Sequence, residues 1–401
     1  MPGYRWLWGE NLAISSARFS VMVVSGWMSY AFTDSVLGSA LVAFLGFAPP
    51  LLLAPAIGAL ADRMDKRSLI KAGAASGAMV SLAALVASVL GAFNLGMSLA
   101  LALAAGLSFT LEAPARTSLV PGIVGEEAGL LSAYSWIRVA SQGAEFVGPA
   151  ITTVLLAAYG TSPALMALVL MYCLSLLQAF RIKIRAEVAG GKAPHGRPPE
   201  GGRLGFAGGL GYIRGEKTIG ALILLVGLHC SLTMAFTGLL PAFSASSLGE
   251  GERVYGALLT AIGLGSIVCS VALARFARSV NEKQLLLATA VLSGATLSAL
   301  ALTGTPLLAY AAAFSVGGTQ AMFMSLIQSS TQSLSRAEMR GRVAGVTFFF
   351  TGGVMGFSGL AQGFAALAVG PEAVMVTTGV LFVVLAAAMF AGLPVLRTGN
   401  R

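Results

Sequence analysis

The sequence has little charge and few of the residues that build metal or disulfide sites. Of its 401 residues, 10% are charged and 56% are hydrophobic, and there are two histidines and three cysteines. Charged residues make up about a quarter of an average soluble domain, so this chain lacks the polar surface of a soluble globule. Cys173, Cys230 and Cys269 stand apart in apolar runs, a spacing that favours neither a disulfide nor zinc. No metal or cofactor is expected.

The net charge of +9 does not indicate nucleic-acid binding. A nucleic-acid-binding protein gathers its basic residues on a polar face, whereas here they are scattered between apolar runs. A lipid membrane is the environment that fits this composition. With two histidines and no cluster of catalytic residue types, the sequence also gives no support for an enzyme.

Long uncharged segments recur along the whole chain. About 20 apolar residues are needed to cross the hydrocarbon core of a bilayer. The sequence therefore predicts an all-α membrane protein with twelve transmembrane helices. The predicted spans are residues 11–33, 38–61, 72–93, 95–111, 128–160, 163–180, 218–243, 254–274, 284–303, 306–334, 343–369 and 373–396. Pro49, Pro50 and Pro55 are expected to kink or interrupt the second of these.

Residues 181–217 interrupt the apolar pattern and divide the spans six and six. This stretch is rich in glycine, proline and basic residues, which predicts a flexible cytoplasmic linker. The predicted domains are an N-terminal bundle (1–180), the linker (181–217) and a C-terminal bundle (218–401). The bundles show weak similarity, for example between residues 40–47 and 257–264.

The basic residues predict the orientation of the chain. If the N-terminus is cytoplasmic, 22 of the 25 lysines and arginines fall on the cytoplasmic side, and Arg253 is the one in an outer loop. This is the asymmetry that the positive-inside rule requires. We therefore expect a multi-pass protein of a bacterial inner membrane with both termini cytoplasmic.

Charged side chains inside spans are expensive in lipid, so each is a functional candidate. Arg138, Gln142 and Glu145 have the spacing i, i+4 and i+7, which places them on one stripe of span five. Glu145 is the favoured proton carrier, and a permanent ion pair with Arg138 is the equally weighted alternative. Arg18, in span one, either snorkels to the headgroups or points inward, where it favours an anionic ligand.

Further side chains could line a cleft between the halves. These candidates are Trp27, Tyr30, Phe236, Gln320 and Gln328. His229 is a lone histidine in an apolar run, for which a packed role is favoured over a proton relay. Glu112 and Arg116 lie four residues apart at the inner end of span four and can pair. We expect this pair to form a lock at the cytoplasmic side rather than to contact substrate.

The charged turn after span two resembles the signature loop of the major facilitator superfamily. Its pattern Gly-x-x-x-Asp-Arg-x-x-Lys-Arg consists of Gly58, Asp62, Arg63, Lys66 and Arg67. The segments 114–121 and 339–343, the latter with its two arginines, are similar to the enterobactin-exporter and macrolide-efflux branch of that superfamily.

The resemblance implies a monomeric exporter of siderophore-like or drug-like small molecules that works by alternating access, usually with proton antiport. A lysophospholipid flippase of the same superfamily is the alternative. In a cytoplasmic gate, the loop residues would act with Arg340 and Arg342. One departure affects the substrate: the branch commonly carries a Gly-Asp pair where this chain has Ala17 and Arg18. This departure favours an anionic substrate.

Overall fold

The computed structural model describes residues 2–61, 65–124, 130–182, 202–249, 251–276, 281–336 and 339–392. Within these ranges the chain is helical between short turns, and no strand occurs. The first six helices are α1 (Pro2–Thr33), α2 (Val36–Ala61), α3 (Lys66–Val89), α4 (Leu95–Val124), α5 (Leu130–Tyr159) and α6 (Thr161–Arg181).

The later helices include two divided passages. The helices are α7 (Gly202–Gly215), α8 (Lys217–His229), α9 (Leu240–Ser247), α10 (Gly251–Phe276), α11 (Glu282–Ala301), α12 (Pro306–Leu334), α13 (Arg340–Phe348), α14 (Val354–Val369) and α15 (Pro371–Gly392). A π-helical turn (Cys230–Met234) and a 3₁₀ turn (Ala235–Gly238) join α8 to α9. A second π-helical turn, Phe349–Gly353, joins α13 to α14.

The predicted spans correspond to twelve helical passages when α8–α9 and α13–α14 each count as one. By length and composition, nine of the passages in the described ranges are apolar enough to cross a membrane. The other three are α1, α2 and α5. Helices α1 and α5 contain charged residues, and the part of α2 whose side chains are described, Val36–Pro49, is apolar.

The helices pack as two similar six-passage bundles. In the N-terminal half α2 packs on α4, and α3 packs on α6. The same arrangement recurs in the C-terminal half, where α10 packs on α12 and α11 on α15. The turns into α6 and α15 also match, because Gly160 and Gly370 both have φ of 83°, a left-handed conformation that favours glycine. The all-α, twelve-passage fold predicted from the sequence is confirmed.

Two local predictions differ from the structure. The prolines of α2 do not interrupt it, since the helix runs unbroken from Val36 to Ala61. The interruptions lie in the C-terminal half instead, at the two π-helical turns.

Part of the predicted linker is a helix rather than a flexible tether. Helix α7 packs on α13, with Gly209 against the carbonyl of Arg342 and with Ile213 in a small apolar cluster. The glycines of α7 lower its intrinsic helix propensity, so the composition gave no sign of it. They also let its backbone approach α13 closely.

The membrane side on which α1 begins and α6 ends is called the linker side below, and the other side is the far side. The turns after α1 and α9 lie on the far side.

Candidate functional site

The two halves meet along a seam that runs from the middle of the membrane to the far side. The Tyr255 hydroxyl of α10 donates a hydrogen bond to the carbonyl oxygen of Met22 in α1 (2.9 Å), and the Tyr255 ring stacks on Trp27 with centroids 6.2 Å apart. The Ser39 hydroxyl of α2 donates to the carbonyl oxygen of Gly238 (2.7 Å). These contacts hold the halves together on the far side.

Glycines allow the backbones to approach along this seam. A Cβ at Gly263 of α10 would lie 2.6 Å from the carbonyl oxygen of Glu145 in α5. A Cβ at Gly363 of α14 would lie 2.6 Å from the Cβ of Ala40 in α2. Since lipid offers no hydrophobic drive for helix association, such close packing is a main source of attraction between the halves.

Three of the predicted cleft residues lie at this seam. Trp27 contacts Tyr30, with ring centroids 5.8 Å apart, and both are half-buried near the far-side end of α1. Phe236 is fully buried in the 3₁₀ turn that packs on α2. In this conformation they belong to the closed contact between the halves rather than to an open cleft.

Arg18 lies on α1 at the edge of the N-terminal half, pointing inward rather than snorkelling. Its guanidinium carbon lies 3.8 Å from the ring centroid of Phe109 and 5.4 Å from that of Phe47. The two carboxylates whose charge acts on it are Glu112 and Glu145. An aromatic face attracts a guanidinium but does not use all of its five N–H donors, so Arg18 retains hydrogen-bonding capacity for a ligand.

Two small separate cavities lie at Arg18 and at the seam. The first, about 20 Å³, is lined by Arg18 and by parts of α1, α2 and α4. The second, about 10 Å³, lies between the halves and is lined by residues that include Met22 and Tyr255. Pockets that hold drug-sized ligands have volumes of about 300–1,000 Å³. The halves must therefore separate before such a ligand can reach Arg18 by this route.

A buried triad of Glu10, Glu112 and Arg116 lies behind Arg18, toward the linker side. Arg116 binds Glu10 through two hydrogen bonds, from Nε to Oε2 (2.9 Å) and from Nη2 to Oε1 (3.2 Å). Arg116 Nη2 also lies 3.1 Å from Oε2 of Glu112. The Ser175 hydroxyl of α6 donates to Glu10 (3.3 Å). All three members of the triad are at most 5% exposed.

The triad contains the predicted Glu112–Arg116 pair, but its third member was not foreseen. The predicted first span began at residue 11, which left Glu10 outside it, whereas α1 begins at Pro2. The apolar residues Trp6, Leu7 and Trp8 were the signal that could have extended the span. The described partner that the pair gains is Glu10 of α1, and a lock formed with the charged loop after α2 stays a prediction.

The C-terminal half is held by uncharged polar contacts. His229 Nε2 is hydrogen-bonded to Ser293 Oγ (2.9 Å), and its ring lies 4.3 Å from that of Phe323, centroid to centroid. These contacts place His229 in the interior of the C-terminal bundle, in the packed role that the sequence favoured, and a part for it in the pathway stays a prediction. Gln320 is also structural here, because its Nε2 donates to the carbonyl oxygen of Thr233 (2.6 Å) in the π-helical turn. Gln328 is exposed.

A second glutamine supports the same turn and was not predicted. Gln362 of α14 donates from Nε2 to the carbonyl oxygen of Ser231 (2.7 Å). A π-helical turn frees carbonyl groups from the regular helix pattern, and π-bulges are frequent at functional sites. The two amides donate to backbone carbonyl groups of this irregular segment.

Several predicted residues cannot be placed. Asp62, Arg63 and the side-chain surroundings of Gly58, Arg138, Gln142 and Arg340 lie outside the described part of the chain. Of the other gate residues, Lys66 and Arg342 are exposed and Arg67 is half-exposed. Arg342 is next to α7, and the gate as a whole stays a prediction. Glu145 is half-buried on α5, and its role as a proton carrier stays a prediction.

The sequence model of a family described as transmembrane secretion effector matches residues 2–400 of the chain. No curated protein matches it.

Solved structures of transporters share the fold. The nucleoside transporter NupG is 13% identical, with a TM-score of 0.69 over 96% of this chain and 98% of that chain. A POT family transporter in complex with a thioalcohol-conjugated peptide is 12% identical, with a TM-score of 0.75 over 98% and 97%. Another, in complex with 5-aminolevulinic acid, is 11% identical, with a TM-score of 0.70 over 98% and 97%. At these identities the likeness establishes the fold, which is that of the major facilitator transporters.

Proposed function

The chain belongs to the transmembrane secretion effector family, and from this premise we propose that it exports an amphipathic small molecule carrying a negative charge. That it is a membrane transporter of the major facilitator type follows from its family and fold. The direction, the substrate class and the coupling ion are the proposal. Siderophore-like and drug-like molecules fit the resemblance of its motifs to the enterobactin-exporter and macrolide-efflux branch.

The position of Arg18 is the observation that supports an anionic substrate. A guanidinium held against two aromatic rings at the edge of the seam offers an anion-binding group beside apolar surface. A planar guanidinium binds carboxylate, sulfonate or phosphate through two parallel hydrogen bonds. An amphipathic anion could use both the charge and the ring faces of Phe47 and Phe109.

Alternating access is supported by the distribution of contacts between the halves. The far side is closed by Tyr255, Trp27 and the glycine seam, and the cavities beside Arg18 are smaller than a drug-sized ligand. Opening the seam would expose Arg18 to the far side. The linker side carries most of the basic residues and is taken as cytoplasmic, so the proposed export runs from the linker side to the far side.

Proton antiport is the proposed coupling, as the resemblance implies. The buried or half-buried carboxylates of the N-terminal half, Glu10, Glu112 and Glu145, are the groups able to carry the proton. Antiport further requires that proton and substrate do not cross the membrane together. Closure of the seam is the conformational step able to enforce this.

Transport of a matched pair of fluorescent probes tests the proposal. The anionic probe is anilinonaphthalene sulfonate, and the neutral one is phenylnaphthylamine, which has the same ring system. In inside-out vesicles, wild type should accumulate the anion faster than protein-free vesicles do, and an imposed proton gradient should accelerate this. Arg18→Gln should reduce anion uptake about tenfold, because a hydrogen bond to a charged group is worth about 1.5–3 kcal/mol.

The control is Arg275→Gln, which removes an exposed basic residue near the linker-side end of α10. It should leave uptake of the anion unchanged. Equal loss of both probes in Arg18→Gln would contradict the anionic substrate class. Uptake by right-side-out vesicles alone would contradict export, and movement of a fluorescent lysophospholipid alone would favour the flippase.

A further inference from the structure

The two carboxylates of the buried triad are not equivalent. Glu10 is fully bound, since it accepts two hydrogen bonds from Arg116 and one from Ser175. Glu112 shares the same guanidinium at 3.1 Å, but Oε2 of Glu112 accepts no hydrogen bond from a described residue. One arginine therefore serves two buried carboxylates, and its geometry favours Glu10.

A buried carboxylate oxygen that accepts no hydrogen bond makes the charged form less stable, because burial disfavours charge and hydrogen-bond donors favour it. The side chain of Glu112 is 3% exposed, so bulk solvent does not surround its charge. The group is the one in the triad whose charge is least compensated.

We infer that Glu112 is the group that binds the coupling proton, with Arg116 and Glu10 as a fixed ion pair beside it. The inference rests on the proposed function for its physiological meaning. The Glu112 carboxylate accepts a proton from a hydronium ion and becomes a neutral carboxylic acid: one O–H bond forms on Glu112, one O–H bond of the hydronium ion breaks, and water is left. In the proposed antiport the proton enters from the far side and leaves on the linker side.

The charged and titratable groups around Glu112 come from the helices packed on α4. On α1 they are Glu10 and Arg18, on α4 itself Arg116, and on α6 Tyr172. Helix α5 contributes Glu145, which acts on Arg18. Helix α2 contains no titratable residue, and α3 faces Glu112 with Gly73.

This arrangement determines whether protonation of Glu112 strengthens or weakens ligand binding at Arg18. Arg18 packs on Phe109, which lies three residues before Glu112 on α4, so Glu112 is the carboxylate on α4 that acts on Arg18. When Glu112 is protonated, Arg116 keeps Glu10, whereas Arg18 loses this counter-charge. Arg18 then binds an anion more tightly. A linkage of this sign favours joint binding of the proton and the anion, so antiport requires that the carrier with both bound does not change conformation.

Infrared spectroscopy of the purified full-length protein tests the proton site without a ligand. As the pH is raised from mildly acidic to mildly alkaline, wild type should lose the carbonyl-stretch band of a buried carboxylic acid. Glu112→Gln should lack the titrating band, whereas Glu145→Gln should retain it. A band that disappears in Glu145→Gln and persists in Glu112→Gln would overturn the inference, as would its absence from the wild type.

The pH dependence of probe binding tests the linkage and needs no substitution. The sulfonate of anilinonaphthalene sulfonate stays ionised throughout, so any pH effect arises from the protein. Wild-type affinity for this probe should fall about fivefold or more as the pH rises, a typical size for coupling between sites. Affinity for phenylnaphthylamine should not change, and Glu112→Gln should bind the anion tightly at every pH. An affinity that rises with pH would overturn the linkage.

The two proposals fail in different ways. Loss of the titrating band in Glu112→Gln together with unchanged anion binding in Arg18→Gln would keep the proton site and reject the anionic substrate.

Discussion

The interiors of the two halves differ although their helices pack in the same way. The N-terminal half buries the triad of Glu10, Glu112 and Arg116 and holds Arg18 beside it. In the described part of the C-terminal half, the buried polar contacts are neutral ones, made by His229 and by two glutamines. A common fold thus holds two chemically different interiors.

The difference suggests a division of labour between the halves. Buried charge is costly in lipid and is retained where it binds an ion or ligand. Neutral amide-to-carbonyl bonds satisfy an irregular helix without that cost. We therefore assign ligand and proton binding to the N-terminal half. The C-terminal half, whose second π-helical turn and 3₁₀ turn pack on α2, would supply the surface that closes and opens the seam.

The largest effect is expected from Arg116→Gln in the N-terminal half. This change leaves two buried carboxylates without their arginine. Removing one partner of a buried ion pair typically costs about 3–5 kcal/mol. Thermal unfolding of the detergent-solubilised protein should show a large fall in stability, partly restored at acidic pH, where the carboxylates are protonated.

The matched control in the other half is His229→Leu, which removes a neutral buried contact. It should destabilise the protein far less than Arg116→Gln and show no rescue by acid. If both variants lost similar stability with the same pH dependence, the proposed difference between the two interiors would be wrong.

The variant Gly263→Val should weaken the contact between the two halves along the seam. The added side chain would clash with the backbone of α5 at Glu145, and overpacking of this kind costs about 1–3 kcal/mol. A cysteine placed at Ser39, in a background without the native cysteines, should then react faster with an impermeant thiol reagent added on the far side.

Gly294→Ala serves as the comparison, because Gly294 packs on Gly379 within the C-terminal half. This variant should lower stability without raising the reactivity at position 39. Equal reactivity in the two variants would show that the seam is not where the halves separate.

A smaller effect is expected from the double variant Gln320→Leu with Gln362→Leu. Hydrogen bonds between membrane helices average about 0.6 kcal/mol each, so the pair should contribute about 1 kcal/mol. The loss should be nearly independent of pH, unlike that of Arg116→Gln. A pH-dependent loss would indicate that the C-terminal interior is coupled to a titrating group after all.

The smallest effect is expected from Tyr255→Phe. It removes the hydrogen bond to Met22 but keeps the ring against Trp27. Stability should fall by roughly 0.6 kcal/mol, and far-side labelling at position 39 should rise slightly. If Tyr255→Phe raised the labelling at position 39 more than Gly263→Val does, the Tyr255 hydroxyl group and not the glycine packing would be the main contact that closes the seam.

The sequence predicted the fold well, because lipid imposes a length and an apolar composition on each span. Twelve apolar runs and one polar interruption were enough for the topology. The predicted pair of Glu112 and Arg116 followed from helical spacing and is present. Periodicity also placed Arg18 within a span, although it left open whether the side chain points inward.

The missed features depend on packing between distant segments. Glu10 joins the triad because α1 extends nine residues further than its apolar run. His229 and Gln320 were candidates for the pathway because they are polar, yet Ser293 and the carbonyl of Thr233 bind them within the bundle. Helix α7 is stabilised by its contact with α13, which its glycine-rich composition did not reveal.

The central claim is that the charged N-terminal interior distinguishes anions from neutral molecules. Equilibrium binding of anilinonaphthalene sulfonate and phenylnaphthylamine tests it most directly, in wild type and in one variant of each half, Arg18→Gln and Gln362→Leu. Wild type and Gln362→Leu should prefer the anion, and Arg18→Gln should lose that preference by about tenfold. An anion preference that survives in Arg18→Gln, or disappears in Gln362→Leu, would contradict the claim.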